Sequence, residues 1–587
     1  MMPAEAAPAG QTELLGPHAA HVRAAVDRLT TERFLERCWR KDAGLWTQDP
    51  AEQDEIRQRL GWLTIAEVMR ARVGELRRFA EEIRAEGFTH ALLLGMGGSS
   101  LFPEVCRLTF GTAPSGVDVG ILDSTDPAAV RALARRAPLE RTLAVISSKS
   151  GTTAEVSALT KYFYERFEAV AGGHPGDHCV AVTDMGTPLE ALARELRFRR
   201  VFILGPDSGQ DIGGRFSALS YFGLVPAALL GVTLETLLDR GREMLDRCGP
   251  GSPAHDNPAL RLGAALGTLA EAGRDKVTFL CPAALSSFGA WLEQLIAEST
   301  GKQGKGVAPV VGEPLLEPAR YSPDRLFIEL QLSGEPDSGL DRHVGALTGL
   351  GHPVIRIRLQ DRYDLGGEAV KWSLATTVAG GLLGINPFSE PNVWESKNRT
   401  KTLIEQYARD RRLPERTPLA SDGPLAVYGA ISPSPCTVAG AVSALFRMRV
   451  SGDYLAFLSF LPRTAAVDAA LNALRSAVAR RLGIATLLEI GPRYLHSTGQ
   501  LYKGGRDCGL FLLLTADECL DLAIPGEPFT FGALKQAQAL GDFEAMQQKS
   551  RRILRVHLGD RPEDALPHLQ RAIENAVARN EGVTPPA

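Results

Sequence analysis

An α/β fold is predicted: two parallel-sheet sandwich domains in tandem, with an N-terminal helical lead-in before them and an extra α+β domain after them. Three observations predict it. Short apolar runs alternate with helical periods over 61–235, the alternation resumes over 236–416, and two glycine- and hydroxyl-rich loops each follow directly on an apolar run. At 587 residues the chain exceeds what a single hydrophobic core organises, so several domains are expected.

The elements follow in order. Residues 1–60 carry charge-rich helical periods, as in 22–29 and 52–60, and form the lead-in. The first sandwich, 61–235, has strand candidates at 91–94, 117–122, 143–146, 179–182 and 200–204. The second, 236–416, has them at 276–280, 326–330 and 353–357. Thr417-Pro-Leu-Ala-Ser-Asp-Gly-Pro424 is a linker by composition. Beyond it, 417–587 holds strands at 425–428, 454–458 and 510–514 with a strong helix near 466–482, and its last residues, 581–587, are expected to fray.

Composition removes several classes of function. A hydrophobic fraction of 44% with 23% charged residues is that of a soluble globular protein, and 6% aromatic content argues against a base-stacking surface. Lys plus Arg total 65 against 69 Asp plus Glu, net −4, with no long basic run, so neither nucleic acid nor a membrane is an expected partner. The eight cysteines form no CxxC pair and no Cys/His cluster, which suits reduced thiols and leaves no structural zinc site. No apolar stretch reaches the ~18 residues that span a bilayer, and the first residues lack the basic flank of a leader, so a cytoplasmic location is expected.

Gly95-Met-Gly-Gly-Ser-Ser100 follows the run ending at Leu94, and Ser147-Ser-Lys-Ser-Gly-Thr-Thr153 follows the run ending at Ile146. A buried strand turning sharply into a helix leaves backbone N–H groups pointing outward, glycine admits an anion to them, and hydroxyls add donors. The first loop does not fit a dinucleotide fingerprint, since Ser100 stands where the sixth-place glycine belongs and Asp123 lies too far along. The second loop crowds Ser148, Ser150, Thr152 and Thr153 around Lys149 at a helix start, more hydroxyls than capping needs. Together with Gly98 and Ser99 they make a phosphate cradle, and the expected ligand is a phosphorylated small molecule.

Further residues carry chemistry less decisively. In Asp211-Ile-Gly-Gly-Arg-Phe-Ser217, Arg215 offers a fixed fork of donors for an enediolate oxygen, or an ion pair at a helix start. Glu313 projects from a turn between Gly312 and Pro314, as a general base or as a solvated loop acid. Glu298-Ser-Thr-Gly-Lys302 lines the site or is a polar helix end. Lys397 sits on an amphipathic helix, and His343 and His352 flank the strand at 353–357.

In sequence order these motifs, with Asn386-Pro-Phe through Lys397, resemble the glucose-6-phosphate isomerases, which are built from two sugar-isomerase (SIS) domains; the resemblance covers roughly 60–400. It implies that the sandwiches are SIS-type, that Ser99, Ser148, Ser150 and Thr153 hold the sugar phosphate, that Arg215 steadies an enediolate and that Glu313 moves the proton. It further implies that Lys397 helps ring chemistry, with the ring-opening histidine at His343, at His352 or at neither. The implied substrate is a small-molecule sugar phosphate, no metal or organic cofactor is needed, and the implied assembly is a homodimer sharing a histidine across its interface. A related isomerase that also accepts mannose 6-phosphate, or a non-catalytic phosphosugar sensor, is the alternative. Residues from about 420 to 565 look like the extra region of transaldolase/isomerase fusions, without the transaldolase barrel. There the stretch from Ile490 to Gly505, with His496 and Lys503, is expected to pack the added domain rather than reach the active site or a partner subunit.

Overall fold

The computed structural model describes residues 10–205, 212–414 and 416–581; Asp211 and the tail from 582 onward lie outside them. Sixteen strands are named along the chain, opening with β1 (Gly10–Leu14). The first sandwich holds β2 (His90–Gly95), β3 (Asp118–Leu122), β4 (Thr142–Ser147), β5 (Cys179–Asp184) and β6 (Arg200–Leu204). The second holds β7 (Lys276–Leu280), β8 (Ala308–Val310), β9 (Arg325–Leu332) and β10 (Val354–Leu359). The C-terminal unit holds β11 (Ala420–Asp422), β12 (Leu425–Gly429), β13 (Tyr454–Ser459), β14 (Ala485–Ile490), β15 (Gly509–Thr515) and β16 (Arg552–His557).

Sheet one runs β3-β2-β4-β5-β6 and is parallel throughout. Its central strand β4, Thr-Leu-Ala-Val-Ile-Ser, is buried at all six positions, as a strand covered by helices on both faces must be. Sheet two runs β1-β10-β9-β7-β8, parallel except at β1. The lead-in therefore includes a strand as well as helices, and that strand closes an otherwise open edge of the second sheet.

The third sheet, β11-β12-β16-β15-β13-β14, refines the expectation of an α+β unit. Four of its strands are parallel, and only β11 and β12 pair antiparallel at one edge. Its parallel part has the order second-first-third-fourth, the same order as β3-β2-β4-β5 and β8-β7-β9-β10. All three sheets thus change winding direction beside their first parallel strand, where open α/β sheets offer a crevice at the strand ends.

The C-terminal unit has its own core, built on Phe457, Leu512 and Val556 among others, and is also fused to the rest. Ile524, Phe531 and Leu534 join Leu159, Tyr162 and Phe163 in one apolar cluster, while Ala297 and Val310 pack with Tyr454 and Tyr502 in another. Buried charge crosses the same boundary: Lys535 Nζ lies 2.5 Å from Asp126 and 2.6 Å from Glu518. Asp126 also caps the helix Pro127–Arg136 by accepting from the Ala129 N–H at 2.8 Å. Removing one partner of a buried ion pair costs about 3–5 kcal/mol, so Lys535→Met is expected to lower the unfolding temperature clearly in a thermal melt. Among the described residues no helix is long and apolar enough to cross a membrane.

Candidate active site

The two cradle loops leave the sheet side by side because β2 and β4 are neighbours in register, Gly95 opposite Ser147. After β2 the chain makes a tight turn, Gly97–Ser99, into the helix Leu101–Phe110. Gly97 stands at φ +56°, and a Cβ at Gly98 would lie 2.0 Å from the Gly214 carbonyl oxygen. Only glycine lets the loop pass that close to the Arg215 segment. After β4, residues 148–153 lead into the helix Ala154–Glu168. Ser150 Oγ and Thr152 Oγ1 lie 3.0 Å apart, and Lys149 pairs with Asp184 at 2.7 Å.

A cavity of about 560 Å³ opens over these loops, lined on one side by Gly98, Ser99, Lys149, Ser150, Thr152 and Thr153. Ser148 stands one step behind: its Oγ lies 3.1 Å from Thr153 Oγ1 and accepts from the Gly151 N–H. The same cavity is also lined by Arg215, Glu298, Glu390, Lys397 and His496, and the lead-in helix Pro50–Arg59 contributes Glu52, Glu55 and Arg59.

Arg215 is 2% exposed and almost fully engaged. Nε donates to Ser299 Oγ at 2.9 Å, and the NH2 nitrogen donates to the carbonyls of Pro387 and Ser389. Its NH1 nitrogen lies 3.1 Å from Glu390 and 3.1 Å from Glu298. The two carboxylates that share this cation are not equivalent. Burial pushes Glu298 above the ordinary glutamate value, with Arg215 opposing and Glu390 adding to the rise. For Glu390 burial acts the same way, but Arg215 and Arg59 outweigh it and hold the carboxyl low. Glu298 is therefore the member of the pair readier to take a proton. Gln294 Nε2 fixes its other oxygen at 3.0 Å.

His496 enters from the C-terminal unit. Its Nε2 lies 2.8 Å from Glu155 Oε1, the same oxygen that accepts from Gln538 Nε2 at 2.6 Å. Burial pushes the Glu155 carboxyl up, yet the His496 imidazole, through charge and hydrogen bond, prevails and holds it below the ordinary value. Lys397, on the helix Val393–Asp410, reaches the cavity with Nζ 5.3 Å from the centre of the Trp394 ring.

Two expected residues are elsewhere. Glu313 does not line the cavity. Its carboxylate is held by Arg325 at 2.9 Å and 3.2 Å, by the Thr486 N–H at 2.8 Å and by the Thr486 hydroxyl at 3.0 Å. With the Glu313 side chain 1% exposed, the turn points it inward as a tie between the second sheet and β14, neither projecting as a base nor solvated. His343 also lies outside the cavity, packed against Tyr321 with ring centroids 5.9 Å apart, and His352 packs on Phe327 at 5.4 Å. Burial lowers both histidines, as for rings held neutral in a core.

Sequence reasoning offered Glu298 only as a lining residue and His496 in the active site only as the less favoured reading, and it did not single out Glu155, Glu390 or Gln538. One signal was local: Glu155 follows the hydroxyl loop directly, in the first turn of its helix. The others meet only through long-range packing.

A family model described as phosphoglucose isomerase matches residues 61–309, a span that includes Arg215 and Glu298 and ends before Glu313. A probable glucose-6-phosphate isomerase of Haloarcula marismortui is 31% identical over 360 residues, covering 54% of this chain and 79% of the relative. A glucose-6-phosphate isomerase of Rubrobacter xylanophilus is 29% identical over 369 residues, covering 55% and 84%. Among solved structures, the glucose-6-phosphate isomerase of Chlamydia trachomatis superposes with a TM-score of 0.53 at 19% identity, covering 66% of this chain and 86% of that one, a likeness of fold.

Proposed function

The chain belongs to the phosphoglucose isomerase family, and from that premise we propose that it interconverts glucose 6-phosphate and fructose 6-phosphate through a cis-enediol. One observation carries the reading: the two glycine- and hydroxyl-rich loops and a buried glutamate of raised proton affinity, gripped by an arginine, line a single cavity.

The cradle loops hold the phosphate through backbone N–H groups, the hydroxyls of Ser99, Ser150, Thr152 and Thr153, and Lys149, so that remote binding energy orients the sugar. His496, fixed through Nε2 by Glu155, has Nδ1 left to exchange a proton with the ring oxygen, with the Lys397 ammonium supporting the charge. Glu298 then takes the proton from C2 and returns it to C1. Arg215 holds Glu298 and sets a fixed positive charge beside the developing enediolate. Neither Glu313 nor His343 has a part in this scheme. The eight free cysteines suit a reducing cytoplasm.

The direct test is fructose 6-phosphate formation by purified protein given glucose 6-phosphate, with mannose 6-phosphate in parallel to read epimer specificity. A chain that binds the sugar phosphate without converting it would be a sensor, and the reading would fall. The pH profile adds a second check. Glu298 acts only when ionised and its proton affinity is raised, so kcat/KM must fall with decreasing pH at values above the ordinary glutamate range.

A further inference from the structure

We infer that the C-terminal unit is a catalytic domain that completes the active site of its own chain, so that each chain carries an autonomous site and borrows no histidine from a partner. The inference rests on the isomerase reading and goes beyond it, because that reading says nothing of which molecule supplies the histidine.

The residues that place His496 come from the first sandwich (Glu155), the second sandwich (Gln294) and the C-terminal unit (Gln538). Glu155 Oε1 holds the imidazole, Gln538 Nε2 donates to that same oxygen, and Gln294 Nε2 donates to the His496 carbonyl oxygen at 2.9 Å. The backbone beneath the ring fits tightly: a Cβ at Gly97 would lie 2.8 Å from the His496 carbonyl oxygen and 2.9 Å from Gln294 Nε2. His496 and Gln538 thus both engage Glu155 Oε1.

The segment bearing His496 is anchored at both ends. Arg493 pairs with Asp123 and Glu104, each at 2.6 Å, tying the turn Arg493–His496 to the first sheet and its helix. Tyr494 donates to Asp542 at 2.7 Å, and the same fully buried carboxylate accepts from Ser396 at 2.7 Å and from Lys503 at 2.7 Å. Ser396 immediately precedes Lys397, so Asp542 fixes the histidine turn and the lysine helix to one point. Asp542 and Gln538 are positioning residues, and both belong to the helix Phe531–Gln548 of the C-terminal unit. Gln500 adds a further brace, donating to the Gly301 carbonyl and accepting from the Asn392 N–H, both at 2.9 Å. Unlike the shared histidine implied by the sequence resemblance, this site has both its acid–base groups within one chain.

The test mixes two variants that are each inactive, His496→Ala and Glu298→Gln. Differently tagged full-length copies are co-expressed, and any mixed species is isolated through both tags. In a site shared between chains, a mixed dimer regains one intact site of its two, so the species isolated through both tags recovers roughly half of wild-type activity. In a site completed within the chain, every site lacks one group and no activity returns, whether or not the chains associate. Absence of recovery is the result expected; recovery approaching that fraction overturns the inference while leaving the isomerase reading intact. An active His496→Ala variant also overturns it. An inactive wild type removes the isomerase reading and this inference with it.

Gln538→Leu gives an independent readout. Loss of its hydrogen bond to Glu155 is expected to lower kcat about tenfold with little change in KM, and to move the pH limb set by Glu155 while the Glu298 limb stays in place. An unchanged rate and pH profile in that variant would contradict the positioning role.

Discussion

Glu298→Gln is expected to abolish most turnover, a fall in kcat of about 10²–10⁴-fold, with KM for glucose 6-phosphate little altered. The amide keeps the volume of the side chain and can keep the contact with Gln294, so the cavity wall survives. What disappears is the ability to hold a proton between C2 and C1. The companion variant Glu313→Gln should behave in the opposite way. That carboxylate pairs with the buried Arg325 and accepts two bonds from Thr486, so weakening it leaves a charge underpaired in the interior. Its thermal midpoint should drop while kcat at moderate temperature stays close to wild type. Steady-state kinetics and melting curves on the two proteins separate chemistry from architecture, and loss of turnover in Glu313→Gln with full activity in Glu298→Gln would reverse the assignment.

That contrast shows what a linear sequence discloses. The strands of the two sandwiches were legible because parallel strands covered on both faces are short uninterrupted apolar runs: 276–280 coincides with β7, and 143–146 lies inside β4. The strands that escaped were β1, β8, β11, β14 and β16, which are short, at a sheet edge or mixed in polarity, so that their identity depends on pairing partners. The two glycine- and hydroxyl-rich loops were legible for a similar reason. Their donors are contiguous, and the glycine and hydroxyl pattern is the conformation written out. The proton-handling groups are not contiguous. Whether Glu298 or Glu313 is the base turns on where one carboxylate faces, at the end of a helix or in the next turn, and the composition of either segment suits both roles. His496 was harder still, since 341 positions separate it from Glu155. Its glycine-rich surroundings suggested packing, and it does pack, while also lining the cavity.

His496→Ala is expected to slow conversion of glucose 6-phosphate by about 10²-fold or more, the usual contribution of a positioned acid–base group, and the form of the loss matters more than its size. In the proposed scheme His496 acts on the ring and Glu298 on carbon-bound hydrogen, so the two steps separate with the right substrate. An aldose phosphate whose chain has no free hydroxyl placed to close a five- or six-membered ring needs no opening. Exchange of its C2 hydrogen with deuterated solvent should proceed nearly normally in His496→Ala and fail in Glu298→Gln. Glucose 6-phosphate should be slow with both. Removing the imidazole also strips Glu155 of the neighbour that keeps its proton affinity down, so burial is then opposed by less and the carboxyl becomes easier to protonate. Added imidazole, entering the space left by the side chain, should therefore restore part of the glucose 6-phosphate rate most effectively at pH values where Glu155 is still ionised. Equal slowing of ring-closed and open-chain substrates by His496→Ala would show that the residue serves binding or packing, and ring opening would then need another acid.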